Sequence, residues 1–297
     1  MIELLLEPLQ YGFMQRSLVV AIAIGVICAV MGSYLMVQRL SLLGDAISHS
    51  LLPGLAIAYL LGFNIYVGAF IAGTLSTVAI DWIRTHTTIK EDAAMGIVFS
   101  AFFSLGITLI TVIQKDNKID LNHFLFGNIL GVTLTDAIST ALIAMLILGV
   151  VAALFKELLF YSFDPVGAQA AGLPIHVLGF GLMLLVALTL VASMKAVGLI
   201  LVLAMLITPG ATAYLLVPRL HQVMILGSAI GVIGSISGMY LSYFFNLPSG
   251  PAIVLVVSGI FVLSLLFSPS QGLLTQPQAS VAQSPLWQEL KSLFSSL

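Results

Sequence analysis

Long apolar stretches alternate with short polar breaks along almost the whole chain. A membrane-spanning helix needs about 20 mostly apolar residues. Candidate segments occur at 17–36, 46–63, 65–80, 93–113, 137–155, 175–194, 196–217, 223–245 and 252–267. The last is short, and the two around Gly62 are tightly joined, so eight is the rival count to nine. The pattern predicts an all-α, polytopic integral membrane protein with eight to nine transmembrane helices. Residues 124–132 are apolar but too short to span, which suggests a surface or re-entrant element. The stretch 268–284 is rich in Ser, Gln and Pro and reads as a loose linker. After it, Trp287, Leu290, Phe294 and Leu297 recur at helical spacing, as in a short interfacial helix. The chain therefore divides into a transmembrane domain over 1–268 and a polar tail over 269–297. The N-terminus has no basic region and no small-residue cleavage site, so it is not read as a cleavable signal peptide.

Composition makes the bilayer the natural solvent. Hydrophobic residues are 60% of the chain and charged residues 7%, against roughly 25% charged in a soluble domain. The net charge of -2 gives no reason to expect nucleic acid. Cys28 is the single cysteine, which rules out a disulfide or a thiolate cluster within the chain and leaves it a packing role. No G-x-x-x-x-G-K-[ST] phosphate loop, H-E-x-x-H run or G-x-S-x-G elbow occurs. If ATP drives this protein, another subunit hydrolyses it. Basic residues bear on orientation. With nine helices and the N-terminus outside, Arg39, Arg84, Lys90, Lys156, Arg219 and Lys291 fall inside, and Arg16, Lys115, Lys118 and Lys195 outside, a weak bias.

Asp45 and His49 stand out at the start of one apolar segment. Four residues apart on a helix, they share a face and can reach one ion together. Ten residues of rise from Arg39, about 15 Å, would bring His49 near the middle of a hydrocarbon core. Ionisable groups at that depth mark pathways or sites. Pro53 cannot donate to the His49 carbonyl, which would free it. Ser48 and Ser50 flank the pair. Oxygen and imidazole without thiolate suit manganese and also tolerate zinc or ferrous iron. The structural alternative is that Asp45 caps the helix and His49 bonds to another helix.

Other residues carry weaker signals. Asp92 reads as a cap for the helix near Ala93. Asp81, Arg84 and His86 read as ending a helix and lying in a solvated loop, and His176 and His221 as exposed. His123, just before the short 124–132 element, and Asn128, within it, are candidate gate residues. Pro209 predicts a kink or break, shaping a pathway or permitting close packing. Gly231, Gly234 and Gly238 favour close helix approach. In 161–174, Asp164 can cap a short helix that has Pro165 at its first position. Gly172 ends it, and Pro174 prevents continuation. Such a helix across a loop is a docking element or an ordinary connection.

Four stretches together resemble one family, the ABC-type permeases for manganese, zinc and iron, with manganese importers the nearest likeness. They are Arg39-Leu-Ser-Leu-Leu-Gly-Asp-Ala-Ile-Ser-His-Ser-Leu-Leu-Pro-Gly, Glu91-Asp-Ala-Ala-Met-Gly-Ile-Val-Phe, Phe124-Leu-Phe-Gly-Asn-Ile-Leu, and Val197-Gly-Leu-Ile-Leu-Val-Leu-Ala-Met-Leu-Ile-Thr-Pro-Gly-Ala-Thr-Ala. The resemblance implies a type II ABC importer-like fold in a bacterial plasma membrane, working as a homodimer. It implies two cytoplasmic ATP-binding subunits, an extracytoplasmic metal-binding protein, and a transported divalent cation with no permanent cofactor. It also implies that Asp45 and His49 are the intramembrane ligands; Pro53 and Pro209 are candidates for shaping the pathway from their own chemistry. The element from Asp164 through Pro165, Ala168 and Ala171 to Gly172 would be the cytoplasmic coupling helix. A proton-coupled secondary metal transporter is the alternative; such proteins often show inverted repeats, and none is visible here.

Overall fold

The computed structural model describes residues 7–114, 127 and 129–268. The readings that rest on His123, Asn128, residues 1–6 and the tail beyond 268 lie outside the described residues. Within them every regular element is a helix. In chain order these are α1 (Gly12–Val37), α2 (Ser41–Ser50), α3 (Leu52–Leu61), α4 (Ile65–His86), α5 (Glu91–Gln114), α6 (Leu134–Ala153), α7 (Phe155–Phe163), α8 (Pro165–Ala170), α9 (Ile175–Val197), α10 (Leu199–Leu216), α11 (Leu220–Phe245) and α12 (Ser249–Phe267). Short 3-10 turns cover Pro8–Gln10 and Ile129–Gly131.

Among the described residues, 8 helices are long and apolar enough to cross a membrane, with α2 and α3 counted as the single span Ser41–Leu61. The shorter α10 has 18 residues, which rise about 27 Å. Side-chain contacts define two ends of the bundle. At one, Ser17 Oγ donates to the Ile129 carbonyl at 2.7 Å. At the other, Gln38 Nε2 donates to Ser162 Oγ at 2.9 Å. Helix α11 runs antiparallel to α1, with Gly231 against Gly25, Gly227 against Ala29, and Tyr243 against Tyr11. Helix α12 returns beside α11 and ends where Ser268 Oγ donates to the Leu215 carbonyl at 2.6 Å. So α10 descends from Gly198, against Gly127, to the Gln38 end as a ninth, shorter pass.

Helix α1 is the central post. Met14, Ile24, Ile27, Cys28, Met31, Tyr34 and Leu35 are all buried. Small residues let its neighbours close in, because lipid provides no hydrophobic drive between helices and packing must supply it. A Cβ on Gly25 would lie 3.0 Å from the Gly231 carbonyl oxygen, and one on Gly32 would collide with the Leu206 carbonyl. Gly234 and Gly238 likewise face Val257 and Ile253 of α12, as the glycine spacing predicts. Cys28 is buried with Sγ 3.8 Å from Ser193 Oγ, a packing position.

Three local expectations change. No break occurs at Pro209, through which the chain stays helical, and the interruption lies at Gly198, with φ 79°, close to the join read between the segments 175–194 and 196–217. Pro209 packs its backbone on Gly227, where a Cβ would lie 3.3 Å from the Pro209 carbonyl oxygen. Asp81, Arg84 and His86 do end a helix, but they lie within the last turns of α4 rather than in a loop beyond it. Arg84 bonds Glu91 Oε1 at 2.6 Å and Asp81 Oδ1 at 3.2 Å, and so ties the α4–α5 turn together. Asp92 sits inside the first turn of α5, because that helix already begins at Glu91. His176 and His221 are exposed, His221 in the first turn of α11.

Candidate permeation site and coupling element

The chain turns from α1 into α2 through Arg39, whose φ is 61°. Leu40 N–H then bonds back to the Leu35 carbonyl at 2.8 Å. Helix α2 starts at Ser41 with no side-chain cap, so Asp45 lies in its second turn and caps nothing. His49 Nε2 approaches Asp45 Oδ1 at 3.4 Å. That gap is wide for a hydrogen bond. It suits two donors that each reach a cation at about 2.0–2.2 Å. The His49 and Asp45 side chains are 25% and 47% exposed, so the pair opens onto the surface of the protomer rather than into a sealed cavity.

The rest of the His49 ring is enclosed. Phe99 and Phe103 of α5 each place a ring centroid 5.3 Å from the imidazole, at interplanar angles of 64° and 87°. His49 Nδ1 is buried and has no hydrogen-bond partner. Neither half of the structural alternative therefore matches the geometry: Asp45 caps no helix, and His49 makes no bond to a neighbouring helix among the described residues. No group of three or more His, Cys, Asp or Glu side chains suited to a metal ion occurs among the described residues. Asp45 and His49 stand as a two-donor pair.

Two supporting donors proposed from spacing are elsewhere. Ser48 and Ser50 are fully buried, and their hydroxyls donate back to the Gly44 and Ala46 carbonyls. The Leu51 N–H bonds to the Ser48 carbonyl at 3.4 Å, and Pro53 has no N–H to offer the His49 carbonyl. Pro53 does interrupt the segment: α2 ends at Ser50 and α3 begins at Leu52, with Pro53 in its first turn. Helix α5 seats against this junction at Gly106, where a Cβ would lie 2.6 Å from Leu52 Cβ and 3.1 Å from Pro53 Cδ. The aromatic partners of His49 were not apparent from the sequence. The i, i+4 spacing of Phe99 and Phe103 was the available signal, though it is common in apolar helices.

The short helix read between 164 and 172 is present as α8. Asp164 Oδ1 accepts from Gly167 N–H at 2.8 Å, Pro165 opens the helix, and Gly172 follows it at φ 84°. Ala168 is buried and receives the Leu173 N–H at 3.0 Å, while Ala171 is the C-cap. Phe163 and Val166 are exposed beside it. A cavity of about 260 Å³ lies under this element, lined by Gln38, Arg39 and Leu40 of the α1–α2 turn, the Arg84–Glu91 pair, Tyr161, Ser162 and Pro165. The turn that leads into the Asp45–His49 helix thus shares a cavity with the start of α8.

Comparison with known proteins converges on one lineage. The ABC 3 transport family matches residues 10–268. The manganese transport system membrane protein MntC of Listeria innocua is 47% identical over 281 residues, 94% of this chain and 100% of that protein. The chelated iron transport system membrane protein YfeD of Yersinia pestis is 41% identical over 266 residues, 90% of this chain and 89% of that protein. A chain of the structure of PsaBC from Streptococcus pneumoniae in complex with Fab superimposes with a TM-score of 0.82 at 40% identity, over 91% of this chain and 98% of that chain. With its multi-pass helical fold, the chain belongs to the ABC 3 transport family, as a membrane permease subunit and not a catalytic ATPase.

Proposed function

We propose that this permease imports manganese, with Asp45 and His49 as the transit site of the ion. The observation that carries the reading is the exposure of this acid–imidazole pair on one face of an apolar span. A carboxylate facing hydrocarbon is costly. A second copy of the chain covering that face would remove the cost and create a polar pathway between protomers. Two donors cannot complete an octahedral shell, so water or the second copy supplies the remainder. A sparse shell also favours release, which conduction requires.

The basic residues support an orientation. Arg39, Arg84, Lys90, Lys156 and Arg219 belong to the Gln38 end, and Arg16 and Lys195 to the Ser17 end. By the positive-inside rule the Gln38 end is cytoplasmic. That orientation sets α8, with exposed Phe163 and Val166, where an ATP-binding subunit would dock. The complex then holds two permeases, two ATP-binding subunits and an extracytoplasmic metal-binding protein. ATP-driven closure of the ATPases moves α8, and the Gln38–Ser162 bond beside the shared cavity carries that motion to the turn before α2. Residues 269–297 form a cytoplasmic tail in this orientation.

Iron is the second reading, favoured by the likeness to the Yersinia pestis protein. The test is uptake by cells lacking their own manganese importer, supplied with this permease, its ATPase and its binding protein. Asp45→Ala and His49→Ala are expected to assemble and lose manganese uptake. Normal transport by both assembled variants would sink the transit site. Iron uptake with no manganese uptake would replace the cargo. Uptake that persists without the ATPase would favour a proton-coupled carrier.

A further inference from the structure

We infer that Phe99 and Phe103 are positioning residues for transport: together they hold the His49 ring so that Nε2 alone faces Asp45 and the passing cation. The inference rests on the transit-site reading above. A histidine that binds metal ordinarily gives its second ring nitrogen to a carboxylate, carbonyl or water, and that bond fixes the ring. Here the second nitrogen, Nδ1, is buried with no hydrogen-bond partner. Something else must fix the ring, and what surrounds it is aromatic. Phe99 and Phe103 lie one turn apart on α5, so both project from one face. Their rings stack on each other at 5.6 Å and 26°. Each then meets the imidazole edge-to-face at 5.3 Å, the arrangement that ring quadrupoles favour.

This enclosure has two consequences. A ring flip would exchange Nδ1 with Cδ2 and Nε2 with Cε1, turning Nε2 away from Asp45, and the phenyl walls hold the orientation that leaves one nitrogen presented and one dry. The missing bond at Nδ1 also removes the usual means of raising a ligand's basicity. The site therefore has fixed geometry with modest grip, which suits a passage that must release its ion. The walls cannot easily retreat, because Gly106 on the same helix is seated directly on Leu52 and Pro53.

The experiment uses the full transporter with its ATPase and binding protein, loaded with manganese, and compares Phe99→Ala, Phe103→Ala, the matching Leu and Tyr variants, and His49→Ala. Initial uptake rates give KM and maximal velocity for each assembled complex. Both Ala variants and both Leu variants should raise KM by about 10-fold, while Tyr, which keeps the ring, restores it. Leu retains apolar bulk, so a role in packing alone would be rescued by Leu. Should an Ala variant fail to assemble, the Leu and Tyr variants decide. Wild-type KM in both Leu variants, with His49→Ala inactive, overturns this inference and leaves the transit site standing. Normal transport by His49→Ala overturns the transit site, and this inference with it.

Discussion

Gly32 and Gly149 show how differently one residue type can matter in this protein. A Cβ on Gly32 would meet the Leu206 carbonyl, whereas one on Gly149 would meet nothing within 4 Å. Overpacking a close helix contact costs about 1–3 kcal/mol. Gly32→Ala should therefore lower the melting temperature of the detergent-solubilised protein. Gly149→Ala should leave it unchanged or raise it, since Gly in a helix is destabilising by roughly 0.5–1 kcal/mol relative to Ala. Equal melting temperatures for the two variants would contradict the α1–α10 packing described above. The serines beside His49 teach the same lesson from the polar side. Ser48 and Ser50 look like extra ligands in the sequence, yet both hydroxyls bond within α2, as buried hydroxyls in apolar helices tend to do.

At the scale of elements, α8 and the α4–α5 turn carry the polar contacts of the Gln38 end. Removing the Asp164 cap should destabilise α8 by about 0.5–2 kcal/mol. Asp164→Ala is expected to weaken copurification of the ATP-binding subunit, and Asp164→Asn to retain it. If Asp164→Ala binds the ATPase as wild type does, α8 is not the docking element. The Arg84–Glu91 pair is 28% and 32% exposed, so solvent screening limits its contribution to about 1 kcal/mol or less. A double-mutant cycle of Arg84→Ala and Glu91→Ala should return a coupling energy of that order. A null coupling would mean the α4–α5 turn is held by its helices alone. Local chemistry made α8 legible: Asp164, Pro165 and Gly172 act within one turn of where they stand. The Arg84–Glu91 pair was missed because Asp81, Arg84 and His86 read as lying in a solvated loop, and only the helical path of α4 to His86 brings the two side chains together.

At the scale of the whole molecule, the exposed face of α2 predicts assembly. Leu42, Asp45 and His49 share that face, and Leu42 is 56% exposed. Leu42→Cys should cross-link to a second copy through a short bis-maleimide in native membranes. Cys28 is fully buried and should contribute little background. No dimer band, with the introduced thiol shown to be reactive, would mean this face meets lipid.

The sequence alone determined that the chain crosses a membrane many times, because hydrocarbon admits long apolar helices and little else. It also determined the capped helix α8 and the sharing of one helical face by Asp45 and His49, because each depends on neighbours within a turn or two. The tertiary structure decided what lies far along the chain. Phe99 reaches His49 across two helices and two turns. Pro209 stays helical while its backbone packs on α11. Those outcomes depend on which surfaces of separate helices meet, and periodicity along one helix carries no record of its partner.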